Sequence, residues 1–259
     1  SIYISDDYGV TWNASNSGSK NWTRIVSSSD GTKLAAILNT GNIYLSSNSG
    51  LDWATSTAGS ASWSDITISS DGTKLAAPVN DGYIYTSSNS GVTWTQRSGA
   101  GQRTWGPITS SSDGSIIYAA AAAGNFAGGL FKSTDFGVNW TSISSLMSNH
   151  LDTSSDGTKL IITRLDSNQV SYDVYLSFDG GSSFTQNTIG RNFQSVVSSS
   201  DGAKLAVVSS VGYIYTYPEF PDTTAPVISS VASSTSSSSA TITWTTDEAA
   251  TSTLYYGLT

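Results

Sequence analysis

"YIYTSSNSGVTW", residues 83–94, reads as an extended segment, a short polar turn and a tryptophan. Tyr, Ile and Thr suit a pleated strand, and Ser-Asn-Ser-Gly suits a turn in which Gly takes positive φ. Near-copies occur at 1–12 ("SIYISDDYGVTW"), 42–53 ("NIYLSSNSGLDW"), 129–140 ("GLFKSTDFGVNW") and 173–184 ("DVYLSFDGGSSF"). The closing aromatics are Trp12, Trp53, Trp94, Trp140 and Phe184, spaced by 41, 41, 46 and 44 residues. A second marker, Asp-Gly after a run of serines, recurs at Asp30, Asp71, Asp113, Asp156 and Asp201, spaced by 41, 42, 43 and 45. Two interleaved markers with one period define a repeat.

Each period divides into four short strands, a to d. In 63–98, "WSDITIS" is a, "TKLAAPV" is b, "YIYTSS" is c and "VTWTQR" is d, joined by Asp-Gly, Asn-Asp-Gly and Asn-Ser-Gly turns. Asp-Gly and Asn-Gly pairs favour tight hairpins. Nothing in the repeats has a helical period. Four strands in 40–45 residues is the period of a β-propeller blade. The expected class is therefore all-β, a propeller of four-stranded blades.

The pattern S-x-D-x-G-x-T-W resembles the Asp-box of the sialidase-like (BNR) propellers. Ser5, Asp7, Gly9, Thr11 and Trp12 match it fully; Ser133, Asp135, Gly137 and Trp140 match with Asn139 in the Thr place. Asn48 and Asn89 replace Asp in two copies, and the copy at Ser177, Asp179 and Gly181 ends in Phe184. The resemblance covers about residues 1–217. It implies that the box is the peripheral c–d turn, with the acceptor side chain capping amides and the aromatic packed beneath. Asn accepts those bonds as well as Asp does, so the box residues are read as scaffold and not as metal ligands.

The count runs c–d, four full a–b–c–d sets, then a–b–c. Closure is open to two readings: the segment around Trp12 completes the last blade, giving five, or upstream residues complete the first, giving six. Six suits the resemblance and is the expectation for the parent protein. The chain opens inside a repeat, with no Met and no basic leader, and is read as a fragment or processed form. The propeller is placed at 1–220. From Pro221, "PDTTAPVISS" reads as a linker, and "ATITWTTDEAATSTLYYG" with Trp244 resembles the first strands of a fibronectin type III domain, so 221–259 is a truncated sandwich module.

A net charge of −8 and a pI near 4.3 argue against nucleic acid as partner and against an anionic membrane surface. The longest apolar run, from Ile116, is too short to span a bilayer. No cysteine is present, which excludes disulfides, thiolate nucleophiles and Cys-based zinc sites. No cofactor or metal is expected. The Ser, Thr and Gly richness points to a secreted or cell-surface protein, bacterial by its type, of undetermined oligomeric state.

Internal repeats permit a comparison of columns. Eight residues before each Asp of the a–b turn stand Trp22, Trp63, Trp105, Ser148 and Phe193; five before stand Ile25, Ile66, Ile108, Leu151 and Val196. Six before stand Arg24, Asp65, Pro107, His150 and Ser195, a column with no constant type. A fold needs its constant columns, whereas a ligand site uses the free one. In the family's layout strand a lines the central channel, so both the aromatic column and the variable column are candidate ligand contacts, the aromatics having a second reading as plugs of the gap between neighbouring blades. Arg103 and Arg191, in d–a loops, and the b–c loops 123–129 and 165–173 are further candidates. Lys33, Lys74, Lys159 and Lys204 repeat after the turn and are read as structural, and the serine runs as surface and turn filler.

The resemblance implies, for a sialidase, an arginine triad, a Tyr–Glu nucleophile and an Asp acid/base. Glu219 and Glu248 are the only glutamates and neither lies within the blades, so that chemistry lacks its base. A two-aspartate hydrolase of the xyloglucan-hydrolysing Asp-box type would use Asp65 and Asp152. No G-x-S-x-G, Walker loop or H-E-x-x-H occurs. The expectation is a non-catalytic binding or adhesion module that recognises a glycan or an extracellular protein through the face opposite the Asp-boxes. A glycoside hydrolase and a structural spacer are the alternatives, and an assembly factor like the photosystem-assembly propellers is a related one.

Overall fold

The computed structural model describes residues 1–122, 128–165, 172–188, 193–209, 212–217, 228–235 and 240–246. The described residues are all-β and contain no helix. The chain divides into two compact units, Ser1–Pro218 and Glu219–Thr259.

The first unit is a five-bladed propeller of antiparallel sheets preceded by a two-stranded piece. β1 (Tyr3–Ile4) pairs with β2 (Asn13–Ala14). Blade 1 comprises β3 (Trp22–Ser27), β4 (Leu34–Leu38), β5 (Ile43–Ser46) and β6 (Ala54–Thr55). Blade 2 comprises β7 (Thr67–Ile68), β8 (Leu75–Pro78), β9 (Ile84–Ser87) and β10 (Thr95–Arg97). Blade 3 comprises β11 (Trp105–Ser110), β12 (Ile117–Ala121), β13 (Gly129–Ser133) and β14 (Thr141–Ser144). Blade 4 comprises β15 (His150–Thr153), β16 (Leu160–Leu165), β17 (Tyr172–Ser177) and β18 (Thr185–Thr188). Among the described residues blade 5 has three strands, β19 (Phe193–Ser198), β20 (Leu205–Ser209) and β21 (Ile214–Tyr217). In the second unit β22 (Ile228–Thr235) pairs with β23 (Ala240–Thr246), with Trp244 half-buried.

Neither edge strand closes the ring by pairing with the other: β2 pairs with β1, and β21 with β20. The β1–β2 pair lies instead against the outer strands of blade 1. Asn16 N–H donates to Leu51 O, Asn16 Nδ2 to Asp52 Oδ1, and Ile4 packs beside Gly50. The segment around Trp12 does not complete the last blade.

The c–d turns follow one wiring plan. In each, the Ser hydroxyl donates to the Asp or Asn oxygen (2.8–2.9 Å for Ser5, Ser46, Ser87, Ser133 and Ser177) and accepts from the Gly N–H. The same side-chain oxygen, of Asn48 and Asn89 as of Asp7, Asp135 and Asp179, accepts from the amide N–H four residues on. Trp12, Trp53, Trp94 and Trp140 donate Nε1–H to the turn glycine's carbonyl. The glycine sits at φ between +81° and +88°, where a Cβ is strained.

The serine runs are not filler. One serine, two before the Asp, donates to that carboxylate at 2.5–2.6 Å and accepts the amide five residues on. The next serine joins the blades: Ser29 N–H donates to Ser70 O, Ser70 to Ser112, Ser112 to Ser155 and Ser155 to Ser200, all at 2.7–2.8 Å. Lys33 and Lys74 also cross the joint, each Nζ donating to the next blade's Asp carbonyl, at 3.0 and 2.9 Å. Within a blade the a–b turn carbonyl accepts from the c–d turn amide (Ser49 to Thr32, Ser90 to Thr73, Phe136 to Ser115, Gly180 to Thr158), so both turns share one face.

Two outcomes follow from this wiring. Ser69→Ala removes a buried hydroxyl that both donates and accepts, and is expected to cost about 1–3 kcal/mol in chemical denaturation. Ser70→Ala, which leaves the backbone joint intact, is expected to cost much less. The turn carboxylates of Asp30, Asp71 and Asp113 are held at about 2 by the serine hydroxyl first and then by a backbone amide. Asp7 and Asp179 are also held at about 2, the Thr11 and Ser183 hydroxyls being the largest cause. The folded value is depressed, so the stabilisation is present above the ordinary 3.8 and lost as pH falls towards 2. Tryptophan fluorescence is expected to report acid unfolding within that window.

Candidate functional site

The variable column converges. Arg24 on β3, Asp65 before β7, Pro107 on β11, His150 on β15 and Ser195 on β19 line one cavity of about 320 Å³, together with Leu151 and Val196. One residue from each of five a strands meets there, so this cavity is axial. Local backbone irregularity helps to aim these side chains. Registers slip between Trp22 and Arg24, Trp105 and Ile108, and Phe193 and Ser195, and a bulge of this kind redirects the residues beside it. In blade 2 the regular strand a shrinks to Thr67–Ile68, with Trp63 held by a single bridge to Val79. The expected strand over 63–69 is interrupted there: Ser64 keeps its bond to Pro78 O in its own blade, while the Ser64 hydroxyl and the Asp65 carboxylate also reach Gly106 and Ile108 of the next blade.

The site is polar on two sides. Arg24 Nε lies 3.4 Å from Asp65 Oδ1, with the arginine half exposed and the aspartate mostly buried. Asp65 accepts the amides of Ile66 (2.9 Å) and Ile108 (3.1 Å), the latter in the next blade. Burial nevertheless raises its carboxyl above the usual range, against the pull of those amides and of Arg24. Asp152 is raised likewise by burial, opposed by bonds from the Ser198 amide (2.6 Å) and hydroxyl (3.0 Å). Both aspartates therefore act as clamps between consecutive blades. His150 is partly buried, and that burial, followed by the nearby Arg24 charge, lowers its pKa.

Of the two readings of the aromatic column, ligand contact is the one that burial rules against for Trp63, Trp105 and Phe193. Trp63 and Trp105 are 1% exposed and Phe193 3%. Each tryptophan is wedged into its own blade: Trp63 against Tyr85 and Trp94, Trp105 against Phe131 and Trp140, and Trp22 against Tyr44 and Trp53, at 5.1–6.3 Å between centroids. Trp63 also packs on Ala35, Ile37 and Ile43 of blade 1 and donates to Gly41 O. Trp22 is only partly buried, yet it does not line the cavity. These rings fill the seams between blades, so no face of Trp63, Trp105 or Phe193 is open to a ligand. Ser148, in the same column, donates to the His150 carbonyl at 2.7 Å.

Arg103 lies elsewhere, stacked 4.3 Å over Phe131 with Nε donating to Ala100 O. Arg191, and most of the loops 123–129 and 165–173, lie outside the described residues. A second cavity of about 550 Å³, lined by Lys20, Asn21, Thr23, Leu38, Asn39 and Thr40, belongs to blade 1 alone and contains none of the candidates. No helix among the described residues is long and apolar enough to cross a membrane.

No family model matches this chain, and no curated protein does. Solved structures do. A GH74 enzyme of Niastella koreensis superposes with a TM-score of 0.58 at 16% identity, over 83% of this chain and 40% of that one. The GH74 xyloglucanase of Xanthomonas campestris gives 0.60 at 15%, over 80% and 38%. YCF48 bound to D1 peptide gives 0.60 at 14%, over 82% and 70%. The likeness is one of fold. The chain spans about two fifths of the length of the two GH74 proteins, and the set includes enzymes and a peptide-bound propeller.

His150 is the sole histidine, so its imidazole resonances titrate without overlap. Arg24→Ala is expected to raise the His150 pKa in NMR titration, but not fully to 6.5, because burial remains. The folded value is depressed, so the stabilisation from neutral His150 is present above 6.5 and lost as pH falls through the folded pKa. The substitution is expected to shrink that loss, because the folded pKa then lies nearer 6.5.

Proposed function

We propose that the propeller is a non-catalytic binding module of a secreted or cell-surface protein, and that its axial cavity takes a carboxylate-bearing segment of a partner protein. The observation that carries this reading is the convergence of five unlike side chains on one cavity, with Arg24 and His150 among them. The residues that the fold leaves free to vary are the ones that meet there. An arginine edge with neighbouring hydroxyl and imidazole groups suits a carboxylate. Sugar rings call for exposed aromatic faces, and burial of Trp63, Trp105 and Phe193 removes them from that role. YCF48, of similar fold, binds a peptide, which supports the class of partner chosen here.

The geometry of the c–d turns supports the Asp-box resemblance, and the β22–β23 pair is compatible with a fibronectin-like start. The hydrolase reading has one observation in its favour: Asp65 and Asp152 both have burial-raised carboxyls. Against it, Asp152 is not among the residues that line the cavity, and both carboxylates accept amides of neighbouring blades, which ties each to a structural role.

The test is a display library of peptides panned against the chain, alongside Ser195→Trp, which fills the cavity from an exposed position, and Arg24→Gln. Peptides with Asp, Glu or a free C-terminus at a fixed place are expected to enrich, with binding weakened at least about tenfold by either substitution and by raised salt. Retention of binding by a folded Ser195→Trp, selective capture on a glycan array instead, or turnover of β-glucan oligosaccharides would each overturn the reading.

A further inference from the structure

The axial cavity holds three ionisable side chains whose charges balance at neutral pH. Arg24 contributes one positive charge and Asp65 one negative charge, with Nε 3.4 Å from Oδ1. Two backbone amides and Arg24 oppose the effect of burial on Asp65. Arg24 Nη1 donates to Thr23 O, which leaves Nη2 without a partner among the described residues. His150 contributes no charge there, because burial and then Arg24 hold its pKa below 6.5. Its imidazole reaches the cavity and makes no hydrogen bond among the described residues. A carboxylate arriving at neutral pH therefore meets an uncharged ring and a guanidinium already shared with an internal carboxylate.

Charges elsewhere leave this balance alone. Strands β11 and β19, which pack on β15, carry no ionisable side chain. Arg164 of β16 follows Thr163, the residue paired with His150, so Arg164 and its cross-strand neighbour Asp173 lie on the opposite face of the blade. Asp152, two residues along β15, accepts from Ser198 and Thr109 and lines no part of the cavity.

Resting on the carboxylate reading above, we infer that the axial cavity is proton-gated: it takes its carboxylate in mildly acidic surroundings and releases it at neutral pH, with the His150 imidazole taking up the proton. Protonated, His150 is a second cation beside Arg24, the two outnumber Asp65, and both ring nitrogens become donors. Neutral, it leaves the cavity without net charge. By linkage, the factor by which protonation tightens the carboxylate is the factor by which the carboxylate raises the ring's proton affinity. Asp65 moves the same way on acidification, since burial raises its carboxyl, so the two titrations reinforce each other. The fold withstands this range, because the turn carboxylates of Asp30, Asp71 and Asp113 are held at about 2.

NMR titration of the wild-type chain from about pH 5 to about pH 8, the range over which a histidine changes charge, tests the gate. The probes are N-acetyl-aspartate amide, which bears one carboxylate ionised throughout that range, and N-acetyl-asparagine amide, its neutral isostere. The aspartate probe is expected to bind at least about tenfold more tightly at the acid end and to raise the His150 pKa by about one unit at saturation. The asparagine probe is expected to do neither. His150→Gln is expected to flatten the pH profile, and Asp65→Asn to tighten binding at the neutral end by leaving the Arg24 charge uncompensated. Should either variant fail to fold, the wild-type His150 resonances still decide. Equal binding of the aspartate probe at both ends, or tighter acid binding with His150 unmoved, overturns the gate and leaves the carboxylate site standing. No binding at either end overturns the gate and the carboxylate reading together.

Discussion

The hydrogen bond from one serine amide to the corresponding serine carbonyl of the next blade is the contact on which the rest of the propeller depends. It is made by backbone, so any residue could make it, but its position is fixed by the neighbouring serine, whose hydroxyl fastens the Asp-Gly turn from both sides. Turn and joint are thus one device. Where the turn is correctly capped, the following amide points at the adjacent blade, the lysine beyond it lies over the next glycine, and the aliphatic side chain five residues earlier, as Ile66 does, joins a core shared with the preceding blade. Because each blade bonds chiefly to its neighbours, its energetics are close to those of a linear array, with interface terms between like units.

Much of this was legible in the residues. The period, the four strands and their hairpin turns followed from Asp-Gly and Asn-Ser-Gly spacing, since tight turns leave strong local signals. The role of Asn48 and Asn89 as equals of Asp followed from what the two side chains share, an acceptor oxygen. The serine joint was hidden because its working atoms are backbone, which composition does not report. The shortening of strand a in blade 2 to Thr67–Ile68 was hidden as well: "WSDITIS" alternates as a strand should, and nothing in that alternation reports that the Asp65 carboxylate reaches the Ile108 amide across the seam.

The two columns show where sequence reasoning about a site succeeds and where it misleads. Arg24, Asp65, Pro107, His150 and Ser195 were singled out for failing to repeat, and they share a cavity. Trp63, Trp105 and Phe193 carry two readings, ligand contact near a channel and plugs between blades, and their burial beside Trp94, Trp140 and Tyr215 favours the second. The distinguishing signal was present. A residue type kept in four of five copies is under the fold's constraint, and constancy between blades outweighs chemical suggestiveness.

Joining both turns of each blade on a single face has an electrostatic consequence. Asp30, Asp71, Asp113 and Asp201 of the a–b turns share that face with Asp7, Asp135 and Asp179 of the c–d turns, and their hydrogen bonds hold them ionised well into acid. Arg24 and His150 lie on the half of strand a away from those turns. The turn face therefore holds carboxylates whose charge persists into acid, interleaved with Lys33 and Lys74 at the joints. A partner approaching that face meets charges that the fold's own fasteners keep fixed, so the groups that hold the blades also set what that face attracts and repels.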